Sequence, residues 1–411
     1  MKKVSIAHYE KLVGKEIINE LKLLAKKLKG KTIQCINSTR MGGGVAEILS
    51  RLIPLLNELG IDARWDVIEA DASFFNITKA FHNALHGNPT RITTEMFQAF
   101  LNAGQRIIEK FDLYGDIIFV HDPQPIFLIK RKDTLDSKWL WRCHVDVSEP
   151  NMEVWSFLKN FIDEYDVSVF SAPAFARQLT KPQFLISPSI DPFSDKNRPL
   201  TSSEIKRVLK KYGLDKKKPM ITQVSRYDYL KDPLGVIDAY RLVKKYIDCQ
   251  LVFAGNRATD DPEMEKVLAD VREKAGDDPD IHTLIMDPID TDVNAIQSAA
   301  DVIVQKSIKE GFALTVTEAL WKKKPVVASY VGGIPLQIRH KYNGLLCYTI
   351  GGCASQIKQV LNNPGYARML GENGRERVKR EFLSTRHLKD YMLLFLYLYH
   401  PEDVISLYNT T

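Results

Sequence analysis

The stretch ADVIVQKSIKEGFALTVTEALWKKKPVVAS, residues 300–329, contains the pattern that decides the fold. Residues 300–304 form a short apolar run typical of a buried strand, and residues 325–329 form a second one. Between them, residues 313–323 have the apolar spacing of a helix and end in lysines. A strand, a helix and a further strand in this order predict a parallel sheet covered by helices.

Two glutamates, Glu310 and Glu318, occur eight residues apart beyond the carboxyl end of the first strand. Open parallel sheets bind their ligands at this edge. On one helix the two carboxylates would lie about 12 Å apart along the axis, whereas the paired carboxylates of glycosidases are about 5–9.5 Å apart. We therefore expect them to hold different parts of one elongated ligand. For Glu318 the alternative is a helix capping box with Thr315.

Strand and helix signals alternate along most of the chain in two series, which the proline-rich polar segment 187–199 separates. This organisation predicts an α/β protein of two doubly wound, Rossmann-like domains that face a central cleft. The expected domains are residues 1–190, with a helical segment at about 378–411 returning to them, and residues 191–377. A first helix is predicted near residues 9–28. The predicted strands are 32–37, 63–68, 116–120, 139–143, 167–170 and 184–186 in the first series, and 220–224, 250–254, 282–285, 300–304 and 325–329 in the second.

Composition limits the classes of function that the chain can have. Its 411 residues suffice for two domains, and 45% hydrophobic and 26% charged residues are ordinary for a globular protein. The formal charge of +6 comes without a long Lys/Arg block, which speaks against nucleic acid and suits anionic small molecules. Five scattered cysteines without CxxC spacing indicate a reducing compartment, so we expect a cytoplasmic protein.

Neither end of the chain predicts a membrane segment. The first residues lack the apolar core of a secretory signal. No run approaches the ~18 apolar residues of a spanning helix, and the most apolar segment, residues 391–399, is interpreted as part of a packed C-terminal helix.

Two loops are candidates for binding phosphate. Gly42, Gly43 and Gly44 follow the first strand, where backbone amides could approach an anion without hindrance from Cβ atoms; a flexible turn is the alternative. Their spacing does not fit GxGxxG, which weakens a nicotinamide or flavin interpretation. Arg226 and Lys231 follow the first strand of the second series, and a guanidinium with an ammonium suits a diphosphate. Two solvated surface cations are the alternative.

Three side chains stand at strand ends of the first series. His144 could donate a hydrogen bond to a sugar hydroxyl or an oxyanion, or could be structural. His121 and Asp122 carry the same two alternatives.

In the second series, Asp290 and Asp292 match a metal-binding DxD pattern, but they precede a helix, so helix capping is the better interpretation. No group of His, Cys and carboxylate residues has the spacing of a metal site.

Over nearly the whole chain, these features together resemble the retaining GT-B glycosyltransferases of glycosyltransferase family 4. The first half is similar to the trehalose synthases of that family. The motifs that carry the similarity are NSTRMGGGVAEIL at 37–49, FFNITKAFHNALHG at 74–87, HDPQP at 121–125 and WRCH at 141–144.

The resemblance implies transfer of glucose from UDP- or ADP-glucose to free glucose with retention, giving α,α-trehalose reversibly and without a metal or cofactor. It implies that Arg226 and Lys231 hold the donor diphosphate, that Glu318 holds the ribose, and that Glu310 holds the donor sugar. The implied catalytic residues are His144, Arg226, Lys231 and Glu310. The implied donor-binding residues are Gly43, Gly44, Arg226, Lys231, Glu310, Gly311, Phe312 and Glu318. The implied acceptor-binding residues are His82, Asn83, Asp122 and Gln124.

Other functions remain open from the sequence. A trehalose phosphorylase would use inorganic phosphate in place of the nucleotide, and another transferase of the family would use a different acceptor. A sugar-nucleotide sensor without turnover is the alternative from another class. A homodimer is expected by family analogy. Ala313, where the family usually has glycine, and the basic residues 339–341 leave the exact donor and acceptor open.

Overall fold

The computed structural model describes residues 5–40, 43–256 and 263–402. Its contacts divide the chain into two compact units. The first comprises residues up to Pro188 together with those from Ser384 onward, and the second is Ser189–Leu383.

The first unit is built on a parallel sheet of six strands. Its strand order is β2-β1-β3-β4-β5-β6, so the chain reverses its direction of winding between β1 and β3. Five consecutive residues are buried in each of β1 and β3, as expected for strands covered on both faces. The strands are β1 (Thr32–Asn37), β2 (Asp62–Val67), β3 (Ile117–His121), β4 (Lys138–Arg142), β5 (Val167–Phe170) and β6 (Gln183–Leu185).

Helices connect these strands, and the predicted first helix is two helices. They meet at Gly14, whose φ of 89° a residue with a Cβ would adopt only with strain. The helices of this part are α1 (Ile6–Val13), α2 (Lys15–Lys27), α3 (Gly43–Glu58), α4 (Ala72–Leu85), α5 (Thr94–Lys110) and α6 (Met152–Ile162). Short 3-10 segments occupy Ile126–Thr134 and Pro173–Phe175.

The second unit has its own parallel sheet, in the order β12-β11-β10-β7-β8-β9. The predicted strand–helix–strand unit at 300–329 is confirmed as β10, α11 and β11. The strands are β7 (Met220–Val224), β8 (Gln250–Asn256), β9 (Ile281–Met286), β10 (Val302–Gln305), β11 (Val326–Ser329) and β12 (Leu345–Cys347). The helices are α7 (Ser202–Lys211), α8 (Pro233–Lys244), α9 (Glu263–Ala275), α10 (Asp290–Ala299), α11 (Leu314–Trp321), α12 (Ile334–Gln337), α13 (Ile350–Leu361) and α14 (Pro364–Glu381), with a 3-10 segment at Tyr229–Lys231.

The proline-rich segment contains the boundary between the units but is not loosely solvated. Asp191, Ser194 and Asn197 are buried in the second unit. The Asn197 carbonyl accepts a hydrogen bond from Trp321 Nε1 at 3.2 Å, and its amide oxygen accepts one from Lys322 at 3.0 Å. Asn197 therefore anchors the segment to the end of α11.

The last helix, α15 (Ser384–Tyr397), belongs to the first unit. Its apolar side chains Met392 and Phe395 are buried, which confirms the packed helix predicted for this segment. The helix packs against α2 and α3, and Lys389 pairs with Glu20 at 2.7 Å. Among the described helices, none combines the length and the apolar character that crossing a bilayer requires.

Candidate functional site

The ligand-binding edge of the second sheet is formed by the loops that follow β7 and β10. These two strands are neighbours, and the chain reverses its winding between them, which is where open α/β sheets bind ligands. The loops are joined directly, because the Ile308 N–H donates to the Leu230 carbonyl at 2.8 Å. Lys306 also forms an ion pair with Asp232, the residue that caps α8.

Lys231 and Glu310 form an ion pair at this edge. Lys231 Nζ lies 2.8 and 2.7 Å from the two carboxylate oxygens. Their side chains are only 18% and 9% exposed, so water screens the pair weakly. Ser307 Oγ and Gln305 Nε2 also donate to Glu310, at 2.9 and 3.3 Å. The sequence indicated separate roles for Lys231 and Glu310, whereas the structure joins them into one group.

Arg226 lies in the same loop after β7 as Lys231. Its side chain is 49% exposed, and its contact with Asp228 is 3.3 Å. Asp228 is fixed in turn because it accepts a hydrogen bond from the Leu230 N–H at 2.8 Å. Gln223, at the end of β7, donates to the Lys231 carbonyl at 3.0 Å. The loop therefore holds two cationic side chains in defined positions at the strand end.

The backbone from Gly311 to Ala313 is held tightly against its neighbours. Ala313 has φ of 69°, a left-handed conformation in which a Cβ causes strain. Gln337 Nε2 donates to the carbonyls of Phe312 and Ala313. A Cβ on Gly333 would lie 2.7 Å from the Gly311 carbonyl oxygen, so this loop needs glycine opposite it.

The alternative interpretation of Glu318, a capping box with Thr315, is wrong. Ala313 is the N-cap of α11, and no side chain caps the helix. Thr315 Oγ1 instead donates to Gln305 Oε1 at 3.2 Å. The helix starts with uncapped amides because the chain enters it from a left-handed residue without a polar side chain.

Glu318 is a buried carboxylate, only 2% exposed. Gln297 Nε2 donates to one of its oxygens at 3.2 Å, and Lys196 Nζ lies 3.9 Å from the other. Lys196 comes from the proline-rich segment, and sequence reasoning missed both partners. Lys196 and Gln297 belong to no recognisable motif, and their polar character alone did not indicate a contact with Glu318.

The Asp290 and Asp292 pattern is neither a helix cap nor part of a metal cluster. Ile289 is the N-cap of α10 and gives no side-chain hydrogen bond, so the predicted capping is wrong. Asp292 instead accepts hydrogen bonds from Lys211 at 2.6 Å and Tyr212 at 2.8 Å. Within the described ranges no group of His, Cys and carboxylate side chains could hold a metal ion.

In the first unit, the ends of β3 and β4 bring His121, Asp122 and His144 together. His121 Nδ1 lies 3.1 Å from His144 Nε2, and the two rings are stacked with centroids 5.4 Å apart. Asp122 Oδ1 accepts a hydrogen bond from the His144 N–H at 2.8 Å. These three residues therefore form one cluster at the carboxyl edge of the first sheet.

Burial, with a smaller contribution from a buried arginine, shifts the pKa values of this cluster. Arg142 is fully buried beneath it and bonds to Tyr391 at 2.5 Å, to His387 at 3.1 Å and to the Ile186 carbonyl at 2.8 Å. Burial and then the charge of Arg142 lower the pKa values of His121 and His144 well below the usual range, so both rings are neutral. Burial raises the pKa of the Asp122 carboxyl to about 7.

The remaining residues implied for the acceptor lie near the same edge or on α4. Gln124 follows Asp122, and its buried Oε1 has no hydrogen-bond partner in the described part of the chain. His82 lies in α4, where its Nε2 is 3.2 Å from that of His86 one turn later. Asn83 is its neighbour in the helix.

The glycine loop after β1 is only partly described. Gly43 and Gly44 begin α3, and Gly43 has φ of 77° with open space where a Cβ would stand. Gly42 lies outside the described residues.

Two family models match the chain, one in each unit. Residues 35–177 match "Trehalose synthase, N-terminal domain". Residues 204–377 match "Glycosyl transferases group 1".

Several known proteins are similar over most of this chain. Trehalose synthase from Thermococcus litoralis is 43% identical, with 93% of this chain and 95% of that protein covered. Trehalose synthase from Rubrobacter xylanophilus is 41% identical, with 95% and 96% covered. Trehalose phosphorylase from Grifola frondosa is 31% identical over 83% of this chain, but only 54% of the phosphorylase is covered.

Solved structures share the fold. An α,α-trehalose-phosphate synthase (UDP-forming) from Burkholderia xenovorans superposes with a TM-score of 0.72 at 12% identity, covering 89% of this chain and 99% of that one. The two six-stranded parallel sheets with their helices confirm the expected α/β architecture of the GT-B class.

Proposed function

Because the chain belongs to the trehalose synthase family of glycosyltransferases, we propose that it transfers glucose from a nucleoside diphosphate glucose to free glucose, forming α,α-trehalose. The observation that carries this proposal is the group of Arg226, Lys231 and Glu310 at the switch point of the second sheet. It offers two cations to an anionic leaving group and a fixed carboxylate to sugar hydroxyls.

The donor diphosphate binds Arg226 and Lys231 in this proposal. Lys231 has three N–H donors and uses two contacts on Glu310, so one direction remains for a phosphate oxygen. The guanidinium of Arg226, half of whose side chain is exposed, can donate hydrogen bonds to two phosphate oxygens at once. The uncapped amides at the start of α11 add a partial positive charge nearby. Gly43 and Gly44 are proposed to lie against the same phosphates.

The rest of the donor binds along the loop and helix after β10. Glu310, with the backbone of Gly311 and Phe312, is proposed to hold hydroxyls of the donor glucose. Glu318 is proposed to hold the ribose, for which Gln297 keeps its carboxylate oriented. Each carboxylate oxygen has further lone pairs that can accept from a sugar hydroxyl, and a ligand without that hydroxyl would leave these lone pairs buried and unsatisfied.

We propose that the anomeric configuration is retained without a covalent intermediate on Glu310. Lys231, Ser307 and Gln305 engage its oxygens, so it is a poor nucleophile. We propose front-face departure, in which the leaving diphosphate takes the proton of the attacking hydroxyl. Catalysis then rests on charge stabilisation at the diphosphate by Arg226 and Lys231. The C1–O bond to the diphosphate breaks, a C1–O bond to the acceptor oxygen forms, and the acceptor proton leaves on the diphosphate. We propose that this exchange is reversible.

The first unit supplies the acceptor groups in this proposal. Asp122 and Gln124 present oxygens that accept hydrogen bonds from sugar hydroxyls, and the unpartnered Gln124 Oε1 supports this. His82 and Asn83 are further acceptor candidates. The neutral ring of His144 can donate a hydrogen bond to a sugar hydroxyl. None of these contacts needs a metal or a cofactor.

We further propose a cytoplasmic location, where nucleotide sugars are made. All five cysteines are buried and none forms a disulfide, which fits a reducing compartment. A homodimer remains a proposal from family analogy.

The reverse reaction distinguishes the proposed synthase from a phosphorylase. The protein is incubated with trehalose and either a nucleoside diphosphate (UDP or ADP) or inorganic phosphate, and the released sugar phosphate is identified. We expect nucleoside diphosphate glucose from the first mixture and no glucose phosphate from the second. Glucose phosphate from the second mixture would instead show a phosphorylase, and no product from either would favour a binding protein without turnover or a different acceptor.

A further inference from the structure

The contact between His121 and His144 limits where the protons of both rings can be. Both rings are neutral, so each carries one N–H. The 3.1 Å contact between His121 Nδ1 and His144 Nε2 needs one proton between the two nitrogens. Either His121 donates and His144 carries its own proton on Nδ1, or His144 donates and His121 carries its proton on Nε2.

The surroundings of His121 Nε2 decide between the two. This nitrogen is buried and has no hydrogen-bond partner among the described residues. His121 stands opposite Arg142 in the register of β3 and β4, so both side chains project from the same face of the sheet. A bare nitrogen lone pair is attracted to the positive charge of Arg142, whereas an N–H would be repelled by it.

Arg142 itself adds a second reason. Its Nε–H is buried and also lacks a partner in the described part of the chain. A proton on His121 Nε2 would therefore add a second unpaired donor on the same face of the sheet, and each buried donor without a partner costs free energy. The remaining charged or titratable groups around the cluster do not change this choice. Asp122 is engaged by the His144 backbone N–H, and His387 and Tyr391 are engaged by Arg142.

We propose that His121 is a positioning residue, which donates from Nδ1 to His144 Nε2 and so fixes the His144 proton on Nδ1. His144 then presents an N–H rather than a lone pair to its ligand. Its Nδ1 makes no hydrogen bond to a described residue, and the side chain, although largely buried, keeps some exposure to solvent. The partner of this N–H is a sugar hydroxyl oxygen, and this part of the inference rests on the proposed function.

Two variants of His121 separate the effect of its hydrogen bond from the effect of losing the imidazole ring. His121→Asn keeps an N–H donor at about the position of Nδ1, whereas His121→Leu removes it. We expect His121→Leu to lower kcat/KM for trehalose formation about tenfold to hundredfold, the range that one lost hydrogen bond gives. We expect His121→Asn to retain activity within about threefold, because its donor still selects the tautomer.

Nitrogen NMR of histidine-labelled protein reads the tautomer directly, without substrate. The His144 signals are assigned by their loss in His144→Asn. We expect a protonated Nδ1 and a bare Nε2 in the unsubstituted protein and in His121→Asn, and the opposite in His121→Leu.

A proton on His144 Nε2 in the unsubstituted protein would overturn the proposal, as would equal activity of the two His121 variants. If the variants fail to fold, the spectrum of the unsubstituted protein still shows which nitrogen of His144 carries the proton. Inactivity of that protein towards trehalose would refute the proposed function instead, and would leave the tautomer measurement intact.

Discussion

Replacing Lys231 with methionine should separate two roles of this side chain. The substitution keeps most of the aliphatic length and removes the ammonium group. Glu310 would then keep its hydrogen bonds from Ser307 and Gln305 but lose its counter-charge. The diphosphate would lose one of its two proposed cations.

The magnitude of each effect follows from the geometry. Removing one partner of a buried ion pair costs about 3–5 kcal/mol, and the 18% exposure of Lys231 places this pair near the lower end, about 3 kcal/mol. At about 2 kcal/mol per molar urea, the unfolding midpoint of the second unit should fall by about 1–2 M. Loss of one charge-stabilising donor should lower kcat about 10²–10³-fold.

The double variant Lys231→Met with Glu310→Gln distinguishes stability from chemistry. It should recover most of the lost stability, because no unpaired charge remains, but its kcat should stay low. Lys217→Met, at an 86% exposed lysine of the same unit, is the matched control and should change both quantities little. Near-normal turnover of Lys231→Met would refute the assigned role of Lys231. An unchanged urea midpoint would refute the importance of the ion pair.

Three further substitutions test other parts of the structure. Burial raises the pKa of Asp122 to about 7, so the folded state binds this proton more tightly than the unfolded chain, and stability should fall as the pH rises from about 4 to about 7. Asp122→Asn should remove this part of the pH dependence of Tm, and an unchanged profile would contradict the shift. Ala313→Gly relieves a left-handed φ of 69° and should raise the free energy of unfolding, measured with urea, by up to about 1 kcal/mol. A lower free energy of unfolding would show that Ala313 is not strained. Gly333→Ala pushes a methyl group against the Gly311 carbonyl and should destabilise the protein by about 1–3 kcal/mol and raise the KM for the sugar nucleotide; unchanged values of both would show that the loop can move away.

Much of the fold could be predicted from the sequence because buried parallel strands are continuous apolar runs. Thr32–Asn37, Val167–Phe170 and Met220–Val224 were predicted with the bounds that they have. Elements that are interrupted by a backbone turn, or that are very short, were harder to predict. The first predicted helix is interrupted at Gly14, and the three-residue strand Leu345–Cys347 was too short to give a pattern.

The locations of the candidate residues at strand ends were predictable, but the contacts between them were not. Strand ends identified Glu310, Lys231 and His144, because a parallel sheet collects its carboxyl ends at one edge. The ion pair of Lys231 with Glu310 joins residues 79 positions apart, and no local pattern contains that contact. Lys196 beside Glu318 was missed for the same reason. The capping box was wrong because Thr315 found a partner on the neighbouring strand end, Gln305.

The most direct test of the proposed function is analysis of the products formed from free glucose and a panel of nucleoside diphosphate glucoses. Carbon and proton NMR of the mixture identify the disaccharide and its anomeric configuration, while the released nucleotide is quantified in parallel. We predict α,α-trehalose and one nucleoside diphosphate per disaccharide, with activity lost in Lys231→Met. A disaccharide of another linkage, or nucleotide release without any disaccharide, would contradict the account.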